Sequence, residues 1–255
     1  EKGPLWVKLS ARGTAGHGSR PSSKDAPARL ARAIARIAEY REPPRLTEPV
    51  RDMLRILSEK GIVGYDVDAS GTGGDESAAL EKLAARFPEI DPQLRNTYAV
   101  TTLSAGFKPN VIPASAEGTV DARILPGEDP GEVAARLRKM VDDLGVSVEI
   151  LFSDLPNGSP MGPLYEAMES AILSVHPDAA VMPYLSTGFT DSRFYRSIGI
   201  PTYGLMPVLL PRSEHGRIHG VDERIPVPSI GEMTDIVYAL IERWNQNSTE
   251  SPLPG

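Results

Sequence analysis

The chain has no cysteine, which excludes disulfides, thiolate metal ligands and a cysteine nucleophile. Basic residues are outnumbered, with 27 Lys and Arg against 34 Asp and Glu and a formal net charge of −7. A nucleic-acid backbone or an anionic membrane needs a basic face, so neither is expected as a partner. Aromatics are only 6% of the chain, and no strand carries the aromatic pattern of an RNA-binding sheet. No apolar run approaches the roughly 20 residues of a membrane span. The start, Glu1-Lys2-Gly3-Pro4, does not read as a signal peptide. It runs straight into a strand pattern, so we expect the chain to begin at an internal point of a longer protein, with the cytoplasm as the default compartment. What is present is ordinary: 255 residues, 40% hydrophobic and 24% charged, a globular composition with room for one or two domains.

Leu5, Val7 and Leu9 alternate with Trp6, Lys8 and Ser10, the period of a half-buried strand. A glycine-rich turn from Gly13 to Pro21 follows. Leu30, Ile34 and Ile37 recur at helical spacing and predict a helix over Asp25 to Tyr40, stopped by Pro43-Pro44. A helical insert is expected over about 48–92. Its two apolar stripes flank Gly71-Thr72-Gly73-Gly74, which lacks the Gly-Lys-Ser/Thr ending of a phosphate loop and reads as a flexible link. Strands are expected from Tyr98 and over Ala116 to Ile124. Asp129-Pro130-Gly131-Glu132 then opens a helix with a cap, a first-turn proline and a capping-box Glu. Val146, Val148 and Ile150 alternate as a last strand. Without the insert, the order is strand, helix, strand, strand, helix, strand. That is the split βαβ, ferredoxin-like pattern, an antiparallel sheet with both helices on one face, filling residues 1–153.

Residues 154–247 read differently. Helices are expected over Pro163 to Val175, over Phe194 to Ser197, and from the capping box Ser229-Ile230-Gly231-Glu232. Short strands are expected at Ala180 to Pro183 and Thr202 to Met206. This is part of an α/β layer with too few strands for a complete doubly wound domain. Residues 248–255 read as a disordered tail.

Four histidines are present: His17, His176, His215 and His219. His17 sits between glycines, where a backbone can approach a ligand closely. Its imidazole could donate to a developing oxyanion or be a plain surface-turn histidine. His215 and His219 have His-x3-His spacing, but their glycine-containing segment disfavours the helix that a paired zinc site would need. A single ligand from this loop fits better, with Gly220 bending it around an ion and Asp222, Glu223 and Arg224 in support. His176 reads as a helix-end residue. Asn110, between two strands, could present its amide to a carboxylate or carbonyl, or serve the turn alone. Arg123 could clamp a substrate carboxylate in two-pronged fashion, or pair with Glu117 or Asp121. The turn Ser186 to Arg193 could offer N–H groups to an anion or simply cap the helix after it.

Together these pieces resemble one family, the dinuclear zinc hydrolases that include aminoacylase, succinyl-diaminopimelate desuccinylase and glutamate carboxypeptidases (peptidase family M-twenty). The matching stretches are Lys2 to Trp6, Gly16 to Pro21, Asn110 to Pro113, Asp121 to Gly127, Thr190 to Arg193 and His219 to Arg224, in the family's order. The resemblance implies an α+β lid, or dimerisation, domain of ferredoxin-like βαββαβ form with a helical insert, followed by a partial α/β zinc-peptidase catalytic domain. It implies that His17 polarises the scissile carbonyl in the partner subunit's active site. It assigns Asn110, Arg123, Gly188 and Thr190 to substrate binding and His219 to one zinc. It also implies a homodimer through the lid, a small peptide or acyl-amino-acid substrate, and two zinc ions per complete active site, with at most one ligand from this chain. The family's His-x-Asp ligands, bridging Asp and Glu-Glu pair are expected to precede Glu1, and no adjacent Glu-Glu occurs here. The first Glu of that pair is the general base, so the chain alone is expected to be inactive. A module from the lid that binds or dimerises without catalysis is the alternative.

Overall fold

The structure is a computed structural model that describes residues 1–66 and 74–250. The chain divides into two compact units. The first comprises Glu1–Asn157 and Pro183–Thr190, and the second Gly158–Met182 and Asp191 onward. The division is not linear. Pro183–Thr190, which sequence order assigns to the C-terminal segment, belongs with the first unit.

The first unit is built on β1 (Gly3–Arg12), which pairs antiparallel with β5 (Ser115–Ile124) from Gly3↔Ile124 to Arg12↔Ser115. On its other side β1 pairs with β6 (Val146–Ser153), and β3 (Thr97–Ala105) covers the outer edge of β5. The strand order is β3-β5-β1-β6. Alternation decides which face is buried: Leu5, Val7, Leu9 and Ala11 are fully buried, whereas Trp6 is 39% exposed. Two helices close the apolar face. The helix α1 (Ala26–Glu39) contributes Leu30, Ala33, Ile34 and Ile37, and α5 (Pro130–Val141) contributes Val133, Ala134, Leu137 and Val141. The bounds of α1 lie within a residue of those expected, and α5 starts at the expected first-turn proline. The Asp129 carboxylate caps α5 by accepting from the Glu132 N–H at 3.0 Å. Gly118 lets α1 lie close to the sheet, because a Cβ there would stand 2.9 Å from Ile34 Cδ1 and 3.0 Å from the Thr102 carbonyl oxygen.

The insert forms α2 (Glu48–Glu59), α3 (Gly74–Arg86) and α4 (Asp91–Leu94). Residues 71–73 of the glycine link lie outside the described residues. Val50, Leu54, Leu80 and Leu94 give the insert its own buried side chains. It is fastened by two cations. Arg95, 3% exposed, binds Glu81 through two N–H···O bonds of 2.9 Å and Asp91 through a third. Lys2, 1% exposed, donates from Nζ to the carbonyls of Pro92 and Arg95 at 3.0 and 2.8 Å and to Thr97 Oγ1 at 3.1 Å.

In the second unit α6 (Pro163–Val175) packs on α9 (Val227–Glu250), joined by α7 (Ser192–Ser197) and α8 (Arg212–His215). The strands expected at 180–183 and 202–206 are not formed, and the described residues of this unit contain no strand. A strand exists through its ladder partners, and neither segment has one there. Thr202 instead bonds side chains, its N–H donating to Ser159 Oγ at 2.8 Å and its carbonyl accepting from Arg196 Nε at 2.9 Å. The last helix starts two residues before the expected capping box, which places Ser229 inside its first turn. It also runs through Glu250, into the stretch read as a tail from 248; residues 251–255 lie outside the described residues. No helix among the described residues is long and apolar enough to cross a membrane.

Candidate functional site

After β1 the chain makes a short strand β2 (Gly16–His17), which pairs with β4 (Val111–Ile112) in a two-stranded ribbon apart from the main sheet. His17 lies opposite Val111, and the Gly18 N–H donates to the Asn110 carbonyl at 2.8 Å. Gly18 permits this approach, since a Cβ there would stand 3.2 Å from Asn110 backbone atoms. The ribbon therefore brings together His17 and Asn110, which lie far apart in sequence. The imidazole is exposed. Its Nδ1 accepts from the Ser19 N–H at 3.2 Å and lies 2.8 Å from Ser19 Oγ.

A second cluster occupies the open face of the main sheet. Arg123 makes the two-pronged contact of a carboxylate clamp, but to its own strand: Nε to Asp121 Oδ1 at 2.7 Å and Nη2 to Oδ2 at 2.9 Å. The ordinary alternative weighed from sequence is thus the arrangement present. The guanidinium also lies 5.0 Å above the Phe189 ring, a cation–π distance. Phe189 packs near Trp6 and Phe152 and carries Gly188 and Thr190 on either side. The turn is held by Gly188 N–H donating to Ser186 Oγ at 3.3 Å and by Lys2 N–H donating to the Ser186 carbonyl at 2.9 Å. Thr190 already grips a carboxylate. Its hydroxyl donates to Glu1 Oε1 at 2.6 Å and its N–H to Oε2 at 3.3 Å. Sequence inspection did not find this pairing of Glu1 with Thr190, because nothing local links the two residues.

His219 belongs to the second unit. The bend there is made by His219 and Asp222 at φ of 60° and 59°, not by Gly220. Left-handed backbone at a non-glycine residue costs about 1–3 kcal/mol. The His219 N–H donates to Glu223 Oε2 at 3.3 Å. Nearby, Arg224 binds Glu214 through bonds of 2.9 and 3.0 Å and holds that carboxyl below the usual carboxylate range. The helix α8 ends at His215, so the His-x3-His pair does not share a helical face. The chain also carries one His-x-Asp triplet, His176-Pro177-Asp178, the spacing of the ligand pair expected upstream. There His176 caps α6 with its ring 3.7 Å from Glu232. Among the described residues no three His, Asp or Glu side chains converge as a metal site requires. These residues by themselves do not fit a zinc centre. A cavity of about 390 Å³ at the start of α5 is lined by Asp129, Ile150 and Asp154 among others, and by none of the six candidate residues.

Residues 1–149 match the family model of the peptidase dimerisation domain. The chain is 28% identical over 245 residues to the "Probable carboxypeptidase S-like 2" of Dictyostelium discoideum, covering 95% of this chain and 47% of that protein. It is 29% identical over 265 residues to the human "N-fatty-acyl-amino acid synthase/hydrolase PM20D1", covering 99% and 51%. It thus spans about half the length of these curated relatives. Among solved structures, an M20 family metallo-carboxypeptidase from Sulfolobus solfataricus superposes with a TM-score of 0.56 at 17% identity, over 95% of this chain and 63% of that one, a likeness of fold. The match over residues 1–149, with the sheet and ribbon described above, makes this chain a member of the M20 peptidase family that carries its dimerisation domain.

Proposed function

We propose that the chain is the lid and the C-terminal catalytic segment of a zinc-dependent hydrolase that cleaves amide or peptide bonds in small substrates, dipeptides or N-acyl amino acids. The observation that carries this reading is the β2–β4 ribbon, which exposes the His17 ring and pairs its backbone next to that of Asn110. An imidazole N–H held in that way can stabilise an oxyanion as it develops, and the neighbouring amide can hold the substrate backbone. Arg123, on exchanging Asp121 for the substrate, and the Gly188–Thr190 turn would recognise a carboxylate. That turn's ability to bind the Glu1 carboxylate supports the assignment. His219 would give one ligand to zinc, the remaining ligands coming from a segment other than this chain, and the chain alone would be inactive.

The first unit is proposed as a ferredoxin-like lid through which two copies dimerise. Its strand β3 is an edge of the sheet and is largely exposed, with Leu103 64% exposed. An open edge of this kind is a ready template for pairing. The rival reading, a module that binds or dimerises without catalysis, predicts a chain whose apolar surface is closed. The exposed Ile198, Val221 and Val227 of the second unit favour the hydrolase segment, because a further segment of a larger catalytic domain would cover such side chains.

The test is His17→Ala in the dimeric enzyme that contains this chain. Turnover should fall about a hundred- to a thousand-fold, the loss typical of one oxyanion donor, with metal content unchanged. Unaltered turnover refutes the role.

A further inference from the structure

We propose that Ser19 is a positioning residue, one that fixes the tautomer of His17 so that the ring presents Nε2–H outward as a donor. This rests on the role proposed for His17, but the geometry stands by itself. The Ser19 N–H donates to His17 Nδ1 at 3.2 Å. A ring nitrogen that accepts from an N–H carries no proton of its own. The Ser19 hydroxyl, 2.8 Å from the same Nδ1, must then be the donor in that contact as well. Two bonds to Nδ1 leave the proton of the neutral ring on Nε2. The other tautomer would set Nδ1–H against the N–H of Ser19, two donors facing each other.

The backbone around this pair is held at both ends. The Arg20 N–H donates to the His17 carbonyl at 2.9 Å, and the Gly18 N–H bonds to Asn110. Ser19 therefore stays under the ring, and the ring is exposed on the ribbon. Among the described residues Nε2 has no hydrogen-bond partner. One edge of the imidazole is thus engaged by Ser19 while the other is left to donate. A serine that merely closes the turn makes no demand on the tautomer, and this difference makes the proposal testable.

The experiment is long-range proton–nitrogen NMR of the histidine rings in this chain at about pH 8.5, where neutral imidazole tautomers are resolved. His17 should show a bare Nδ1 and a protonated Nε2. Ser19→Ala keeps the backbone N–H that selects the tautomer and should leave the Nε2–H form dominant, because a hydroxyl can donate to or accept from Nδ1 alike, whereas Ser19→Pro removes that N–H and should raise the Nδ1–H form about five-fold, the factor set by one ordinary hydrogen bond. An Nδ1–H form dominant in the unmodified chain or in Ser19→Ala, or a tautomer ratio unmoved by Ser19→Pro, overturns the proposal. The readout needs no turnover. If the tautomer is held and His17→Ala leaves hydrolysis intact, the catalytic reading falls while the role of Ser19 in fixing the ring stands.

Discussion

The two units treat their apolar side chains in opposite ways. In the first, Leu5, Leu9, Ile37, Ile124 and Leu137 are fully buried between one sheet face and two helices. In the second, Ile236 is buried on α9, while Val237, Tyr238 and Ile241 on the same helix are 42%, 64% and 54% exposed. Both units have helices with adequate apolar stripes, so helix-forming ability does not separate them. They differ in the presence of a sheet. A helix buries one stripe against a layer, and the first unit supplies four hydrogen-bonded strands for that purpose. The second supplies none among its described residues, and its core is limited to the contact of α6 with α9.

The largest expected effect comes from attacking the closed core. Leu9→Ala should cost about 2–5 kcal/mol, the range for a large-to-small change in a close-packed site, read as a lowered midpoint in urea unfolding. A loss of under about 1 kcal/mol would mean that this core is not tightly packed.

Lys2 is buried elsewhere, where the insert joins the sheet. Burial, with Arg123 adding to it, pushes its ammonium down to about 7, while the unfolded chain holds that proton to about pH 10.4. Between these values the unfolded state binds more protons, so stability should rise with pH, by at most about 1.4 kcal/mol per unit. Below about pH 7 both states are protonated and the term is constant. Lys2→Met should flatten the slope, and equal slopes in the two proteins would remove Lys2 as its source.

The smallest effect belongs to the second unit. Val237→Ala should change stability by no more than about 0.5 kcal/mol, as for an exposed site. If denaturation showed it costing as much as Leu9→Ala, that face of α9 would be covered in solution and the contrast between the units would fail.

Much of the first unit was legible because its signals are local. Alternation at Leu5, Val7 and Leu9 gives a strand, and Asp129 with Pro130 and Glu132 gives a capped helix start. The strands expected at 180–183 and 202–206 failed for the complementary reason. An apolar run shows that a segment could pair, but the ladder depends on a neighbour that the run does not encode. At His219 the same limit applies to a turn. Gly220 looked like the hinge by composition, yet the left-handed backbone falls on His219 and Asp222. Arg123 showed its capacity for a two-pronged contact, but only register and side-chain direction show that Asp121 receives it.

By itself the sequence determined which residue types were available: an exposed-turn histidine, an amide, an arginine on a polar strand face, and no cysteine. It also determined the periodicities that build the first unit, because period and capping are properties of neighbouring residues. The tertiary structure alone decided that His17 lies beside Asn110, that Thr190 holds the Glu1 carboxylate, and that Pro183–Thr190 joins the first unit. Each of these depends on chain segments distant in sequence meeting in space, through hydrogen bonds and ring packing that form only once the sheet has fixed where those segments run.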